Sequence, residues 1–141
     1  MRWCLGGWAA VAVLFVAGLT TAGEGVRPKK PRLDLRASPR VAFSPVEVLA
    51  IAELKGGQDV EEFYCPGLEW DWGDGSRSAH ESDCSPFEAG TTLDRFFTAR
   101  HAFRAPGAYS VRLTLRRADR TVAVATVPVT VHGRSAGLSD F

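Results

Sequence analysis

Three groups of side chains have the types needed for acid–base, metal or redox chemistry. They are a run of carboxylates, three dispersed histidines and a pair of cysteines. Ten carboxylates fall between residues 56 and 94, from Asp59, Glu61 and Glu62 through Glu69, Asp71 and Asp74 to Glu81, Asp83, Glu88 and Asp94. Such a density could supply Ca²⁺ ligands or the acid pair of a glycoside hydrolase. Neither chemistry has a motif behind it. An EF-hand loop counted from Asp71 would put Gly73 and Ser82 where oxygen ligands are required. No spacing selects two of the acids as a catalytic pair. His80, His101 and His132 lack the paired spacing of a zinc site. There is no Gly-x-Ser-x-Gly nucleophile turn, and Gly73-x-Gly75 ends a strand without leading into a helix. The reading is therefore no enzyme, no catalytic residue and no assigned metal site, with an irregular Ca²⁺ site in the acidic segment left open as the cofactor alternative.

Cys65 and Cys84 are the other reactive pair. Their meaning depends on the compartment, and the N-terminus indicates it. Met1-Arg2 is followed by an apolar run from Cys4 to Leu19 and by small residues at Thr20 and Ala22. This is the pattern of a secretory signal peptide over residues 1–22, cleaved after Ala22. The apolar run is shorter than the roughly 20 residues a membrane span needs. A retained anchor is the alternative. Cleavage would leave no stable membrane span and would place the protein outside the cell or in the periplasm or envelope. There, two cysteines most simply form one disulfide, Cys65–Cys84, closing a loop of about 20 residues and adding roughly 3 kcal/mol. Two free thiols are the alternative.

The elements that must position these groups read as strands. The chain of 141 residues has length for one domain, and 45% hydrophobic with 23% charged residues is ordinary globular usage. Residues 23–31, with Pro28, Lys29, Lys30 and Pro31, read as a flexible basic lead-in, or as a weak contact for an anionic surface. Leu33 and Leu35 alternate with Asp34 and Arg36. Ser38-Pro39 and Ser44-Pro45 mark turns. Val46 to Leu54 reads as a buried strand, with a helix as its rival. Leu68 to Trp72 is a strand, and Ser76 to Thr92 reads as a polar loop. Phe96 to Phe103 follows. Tyr109, Val111, Leu113 and Leu115 then alternate with Ser110, Arg112, Thr114 and Arg116, the clearest period of two in the chain. Thr121 to Val131 is the last strand. A phase slip near Thr126 and the donorless Pro128 predict a bulge or an open edge there. Residues 133–141 form a polar tail. Short strands with turns between them and no amphipathic helix predict an all-β, immunoglobulin-like sandwich of two antiparallel sheets and about seven strands.

Charge is segregated along these strands. Net charge is +3 over residues 23–55, −9 over 56–94 and +6 over 95–141. The acidic middle would either meet the basic end within the fold or present an acidic surface. Arg112, Arg116, Arg117 and Arg120 read as a solvated edge that discourages aggregation, or as an anion site. No aromatic residues interleave with them on a solvent face, so nucleic acid is not an expected partner.

Residues 68–75 read Leu-Glu-Trp-Asp-Trp-Gly-Asp-Gly, and residues 101–113 read His-Ala-Phe-Arg-Ala-Pro-Gly-Ala-Tyr-Ser-Val-Arg-Leu. Together they resemble the polycystic kidney disease (PKD) domain family, over residues 32–132. The motif residues are Trp70, Asp71, Trp72, Gly73, Asp74, Gly75, His101, Pro106, Gly107 and Tyr109. Each has a structural explanation. Trp70 and Trp72 share one side of a strand and can fill the space between sheets. Gly73 and Gly75 permit a tight turn around Asp74, which can accept bonds from turn amides. His101 can bond across strands, and Tyr109 is placed for a tyrosine corner. The long, acidic, cysteine-bounded segment departs from the family pattern.

The resemblance implies a non-catalytic module outside the cytoplasm that contacts a protein or an extracellular polysaccharide, acting as a single domain. The cysteine-bounded segment 65–84 is the expected contact surface. A structural subunit of an envelope assembly and a Ca²⁺-dependent carbohydrate-binding domain are the alternatives.

Overall fold

A computed structural model describes residue 25 and residues 27–134. The signal-peptide segment and most of the tail lie outside the described residues.

The β-period patterns form eight strands: β1 (Arg32–Ser38), β2 (Val41–Phe43), β3 (Val46–Lys55), β4 (Gly67–Asp71), β5 (Arg77–His80), β6 (Phe96–Phe103), β7 (Gly107–Arg117) and β8 (Arg120–His132). A 3₁₀ turn covers Glu61–Phe63. One sheet has the order β1-β3-β6, and the other β2-β8-β7-β4-β5. All pairings are antiparallel except β2 with β8, which is parallel. This is a two-layer sandwich. The inner faces contribute Leu33 and Leu35 from β1, Val48, Ala50, Ala52 and Leu54 from β3, Val111, Leu113 and Leu115 from β7, and Val127, Val129 and Val131 from β8. Alternation places these residues on one side of each strand, so their side chains leave water together on folding.

The structure adds β2 and β5 to the strands read from sequence. β2 is three residues between two Ser-Pro pairs, both cis. β5 is exposed at all four positions, so it has no apolar alternation to detect. Residues 77–80, read as loop, therefore form an edge strand against β4. β3 is not buried on both faces, because Glu47, Leu49, Ile51 and Glu53 point outward at intermediate or full exposure. The bulge lies at Val122, the residue skipped where Leu115 pairs with Ala123 and Arg116 with Thr121, not near Thr126. Pro128 pairs opposite Ser110 with its nitrogen turned away from β7. No strand among the described residues ladders with Pro128 on that side, as its missing donor suggested.

Arg112, Arg116 and Arg117 of the arginine stripe lie on β7 and on no edge, while Arg120 opens β8. β7 is the central strand of its sheet. The end of the lead-in is also held: Gln58 N donates to Lys29 O at 2.8 Å, Pro31 is buried and Lys30 pairs with Glu62 at 2.6 Å. Gly57, at φ +68, lets the backbone approach, since a Cβ there would meet Pro31 N at 2.3 Å.

Candidate functional site

The two halves of the sequence motif meet at the end of the sandwich where β4, β6 and β7 turn. Trp70 and Trp72 are 3% and 2% exposed and their rings stack at 5.6 Å. Trp72 stacks in turn on His101 at 4.6 Å, His101 meets the edge of Phe103 at 4.8 Å, and Phe103 stacks on Tyr109 at 4.4 Å. This column joins residues of both sheets. Gly73 has φ +79, and a Cβ there would lie 2.8 Å from Ser110 N, so the turn needs glycine twice over. Asp71 Oδ1 accepts from Gly73 N at 3.0 Å, and Asp74 Oδ1 accepts from Ser76 N at 3.0 Å. Gly75 also has positive φ. Tyr109 Oη donates to Ala105 O at 2.7 Å, across the turn that holds Pro106 and Gly107.

Ser76, Asp74 and His101 gather three residue types associated with nucleophilic catalysis, but in the wrong order. Asp74 Oδ2 lies 2.6 Å from His101 Nε2, and Ser76 Oγ lies 3.4 Å from the same nitrogen. Ser76 Oγ itself donates to Asp74 Oδ1 at 2.5 Å. A relay needs the acid on one imidazole nitrogen and the hydroxyl on the other. Here both share Nε2, so the group is a latch between the β4–β5 turn and β6. Burial alone would raise the Asp74 pKa. Bonds from Ser76 and His101 outweigh it and hold the carboxyl at about 2.

The opposite end of the sandwich carries the cysteines. Cys65 and Cys84 form a disulfide. Cys65 has φ 49, a left-handed conformation rare outside glycine. Tyr64 Oη donates to Ser85 O at 2.9 Å, and the Tyr64 ring meets the Phe87 ring at 5.3 Å. Arg117 donates to the carbonyls of Glu61 and Tyr64 and pairs with the Glu61 carboxylate at 3.0 Å. Arg120 and Lys30 share Glu62, and the Lys30 hydrogen bond lowers the Glu62 pKa first, with Arg120 adding to it. A hollow of about 490 Å³ opens between the disulfide strand and the β7–β8 turn, lined by Cys65, Leu68, His80, Glu81, Arg116 and Asp119.

The segregated charges are thus largely matched inside the fold. Asp59 meets Arg95, Glu69 meets Arg116 and Asp71 meets Arg77, in addition to the Glu61, Glu62 and Asp74 contacts. Glu81, Asp83, Glu88 and Asp94 have no ion-pair partner among the described residues. They lie on the segment closed by the disulfide or just after it. No group of three or more His, Cys, Asp or Glu side chains converges as a metal cage among the described residues. Sequence reasoning missed Ser76, Tyr64 and Phe87, and read Arg117 only as part of the arginine stripe. Ser76 had a signal, since Asp-Gly-Ser favours a turn closed by the Asp side chain. The clamp that Arg117 makes had none, because its carbonyl acceptors lie more than fifty residues away in the chain.

No family model matches the sequence. No curated protein matches it either. Among solved structures, the chain is similar to the PKD domain of a peptidase from a Thermoplasmatales archaeon, with a TM-score of 0.51 and 13% identity over 74% of this chain and 98% of that one. The two sheets and this likeness lead to one conclusion: the chain has the immunoglobulin-like sandwich fold of a PKD domain.

Proposed function

We propose that this protein is a non-catalytic recognition module working outside the cytoplasm, and that it contacts a protein or polysaccharide partner through its disulfide-bounded end. One observation carries the reading. The fold neutralises most of its acidic segment but leaves Glu81, Asp83, Glu88 and Asp94 exposed and without cationic partners among the described residues, the first three on or beside a segment fixed by a disulfide and by Tyr64. A rigid, charged surface is pre-organised for a partner, because little freedom is lost on binding. The shared Nε2 in the Ser76–His101–Asp74 group supports a non-catalytic role.

The test is capture from envelope and culture-fluid fractions, with a parallel panel of cell-wall polymers. The triple variant Glu81→Lys, Asp83→Lys, Glu88→Lys reverses the surface charge without touching the core. Loss of the captured partner with an unchanged melting temperature supports the assignment. Undiminished capture by the variant refutes it.

A further inference from the structure

The outer face of the five-stranded sheet carries an uncharged, apolar patch at the tyrosine-turn end, away from the disulfide. β2 pairs in parallel with β8, Val41 with Thr130 and Phe43 with His132. Val129 and Val131 are buried in the core, so Thr130 and His132 point outward, and Val41 and Phe43 share their side of the sheet. Val41 is 63% exposed and Phe43 61%, and the Phe43 ring meets the His132 ring at 5.7 Å. Pro128 and Ala108, both exposed, extend the same face along β8 and β7. β2, β7 and β8 contain no Asp or Glu. The charged residues bordering the patch along these strands are arginines. Arg40 directly precedes Val41, and Arg112 continues the outer face of β7. Neither has an ion-pair partner among the described residues. A contiguous apolar patch in water invites a covering segment.

We propose that this patch is the docking surface for the chain's own C-terminal segment, residues 135–141, with Leu138 and Phe141 as its apolar anchors. That segment reads Ser-Ala-Gly-Leu-Ser-Asp-Phe and lies outside the described residues. Where it starts and what it carries name it as the occupant. β8 ends at His132, the residue already against Phe43, and Gly133 follows beside Pro106. The segment therefore begins at the border of the surface it covers. The face from Pro128 to His132 is roughly 13 Å long at strand rise. Seven extended residues reach up to about 23 Å, and Gly137 permits the reversal onto the sheet. Asp140 is the one acid of the segment, and it comes to a face whose charges are arginines. Two apolar anchors are few for a separate peptide. The tether compensates by holding them at an effective concentration on the order of 1 mM.

Nuclear Overhauser contacts in the full chain test the docking directly. The expected result is contacts from the Leu138 methyls and the Phe141 ring to Val41 and Phe43, with the Leu138 methyl signals shifted upfield by the Phe43 ring. Phe43→Ser, a change at an exposed position, should abolish both signs while the core amides of β7 and β8 stay as protected as before. The double variant Leu138→Ser, Phe141→Ser lies outside the core and gives a second measurement. It should bind more 8-anilinonaphthalene-1-sulfonate than the unaltered chain, because the patch is uncovered. A mixture of isotope-labelled and unlabelled chains separates the chain's own segment from a second copy. Contacts that cross between chains overturn the proposal. So do the absence of any contact from residues 135–141 to Val41 or Phe43, contacts that survive Phe43→Ser, and dye binding unchanged in the double variant.

Discussion

At Asp74, part of the acid response of the protein can be assigned to a single carboxyl group. Its folded pKa of about 2 lies below the ordinary 3.8, so the folded state favours the ionised form. The stabilisation is complete above the ordinary value and is lost as pH falls from there through about 2. The carboxyl is partly open to solvent, which leaves a contribution on the order of 1 kcal/mol. Urea titrations at stepped pH should show Asp74→Asn less stable than the parent at neutral pH and equal to it at the acid end of that window. Trp72 belongs to the same column of rings. Removing its side chain with Trp72→Ala opens a cavity between the sheets and should cost about 3–5 kcal/mol by thermal or urea unfolding. Tyr109→Phe keeps the stack on Phe103 and loses only the bond to Ala105 O, a cost of about 1 kcal/mol. The motif residues were readable in the sequence because each has a local requirement, such as a positive φ or a turn amide. Their convergence into one stack was not, because Trp72 and His101 belong to different sheets and meet only when the two layers pack.

Among the elements, the disulfide and Arg117 together hold the segment that precedes β4. Changing both Cys65 and Cys84 to Ser frees a loop with a sequence separation of 19 and should lower stability by roughly 3 kcal/mol. The loss should appear first as faster hydrogen exchange in β5 and residues 81–90, while β3 and β7 stay protected until global unfolding. Equal acceleration across all strands would contradict this order of loosening. The strands with one wet face, β1 and β7 above all, could be read directly from alternation. β5 could not, because four exposed residues give no pattern, and only the ladder with β4 defines it as a strand. β2 exists through its parallel pairing with β8, a partner some ninety residues away.

For the whole molecule, the question is where the charge of the acidic segment goes. Six of its carboxylates face arginine, lysine or histidine groups, most of them supplied by β6, β7, β8 and the approach to them. A cation would have to displace these partners or settle for scattered single carboxylates. Addition of millimolar Ca²⁺ should therefore leave the melting temperature unchanged, as read by calorimetry, and a rise of several degrees would show that carboxylates gather around the ion. The sequence by itself indicated the sandwich, a Cys65–Cys84 disulfide with two free thiols as its alternative, and the presence of a tryptophan strand and a tyrosine turn. Alternation, turn residues and two cysteines in a chain with a secretory N-terminal pattern are local signals that survive without coordinates. Only the tertiary structure decided that Arg112, Arg116 and Arg117 lie on a central strand, and that Ser76 and Asp74 share one imidazole nitrogen. Each of these depends on which strands lie side by side, and that order is set by packing the whole core at once.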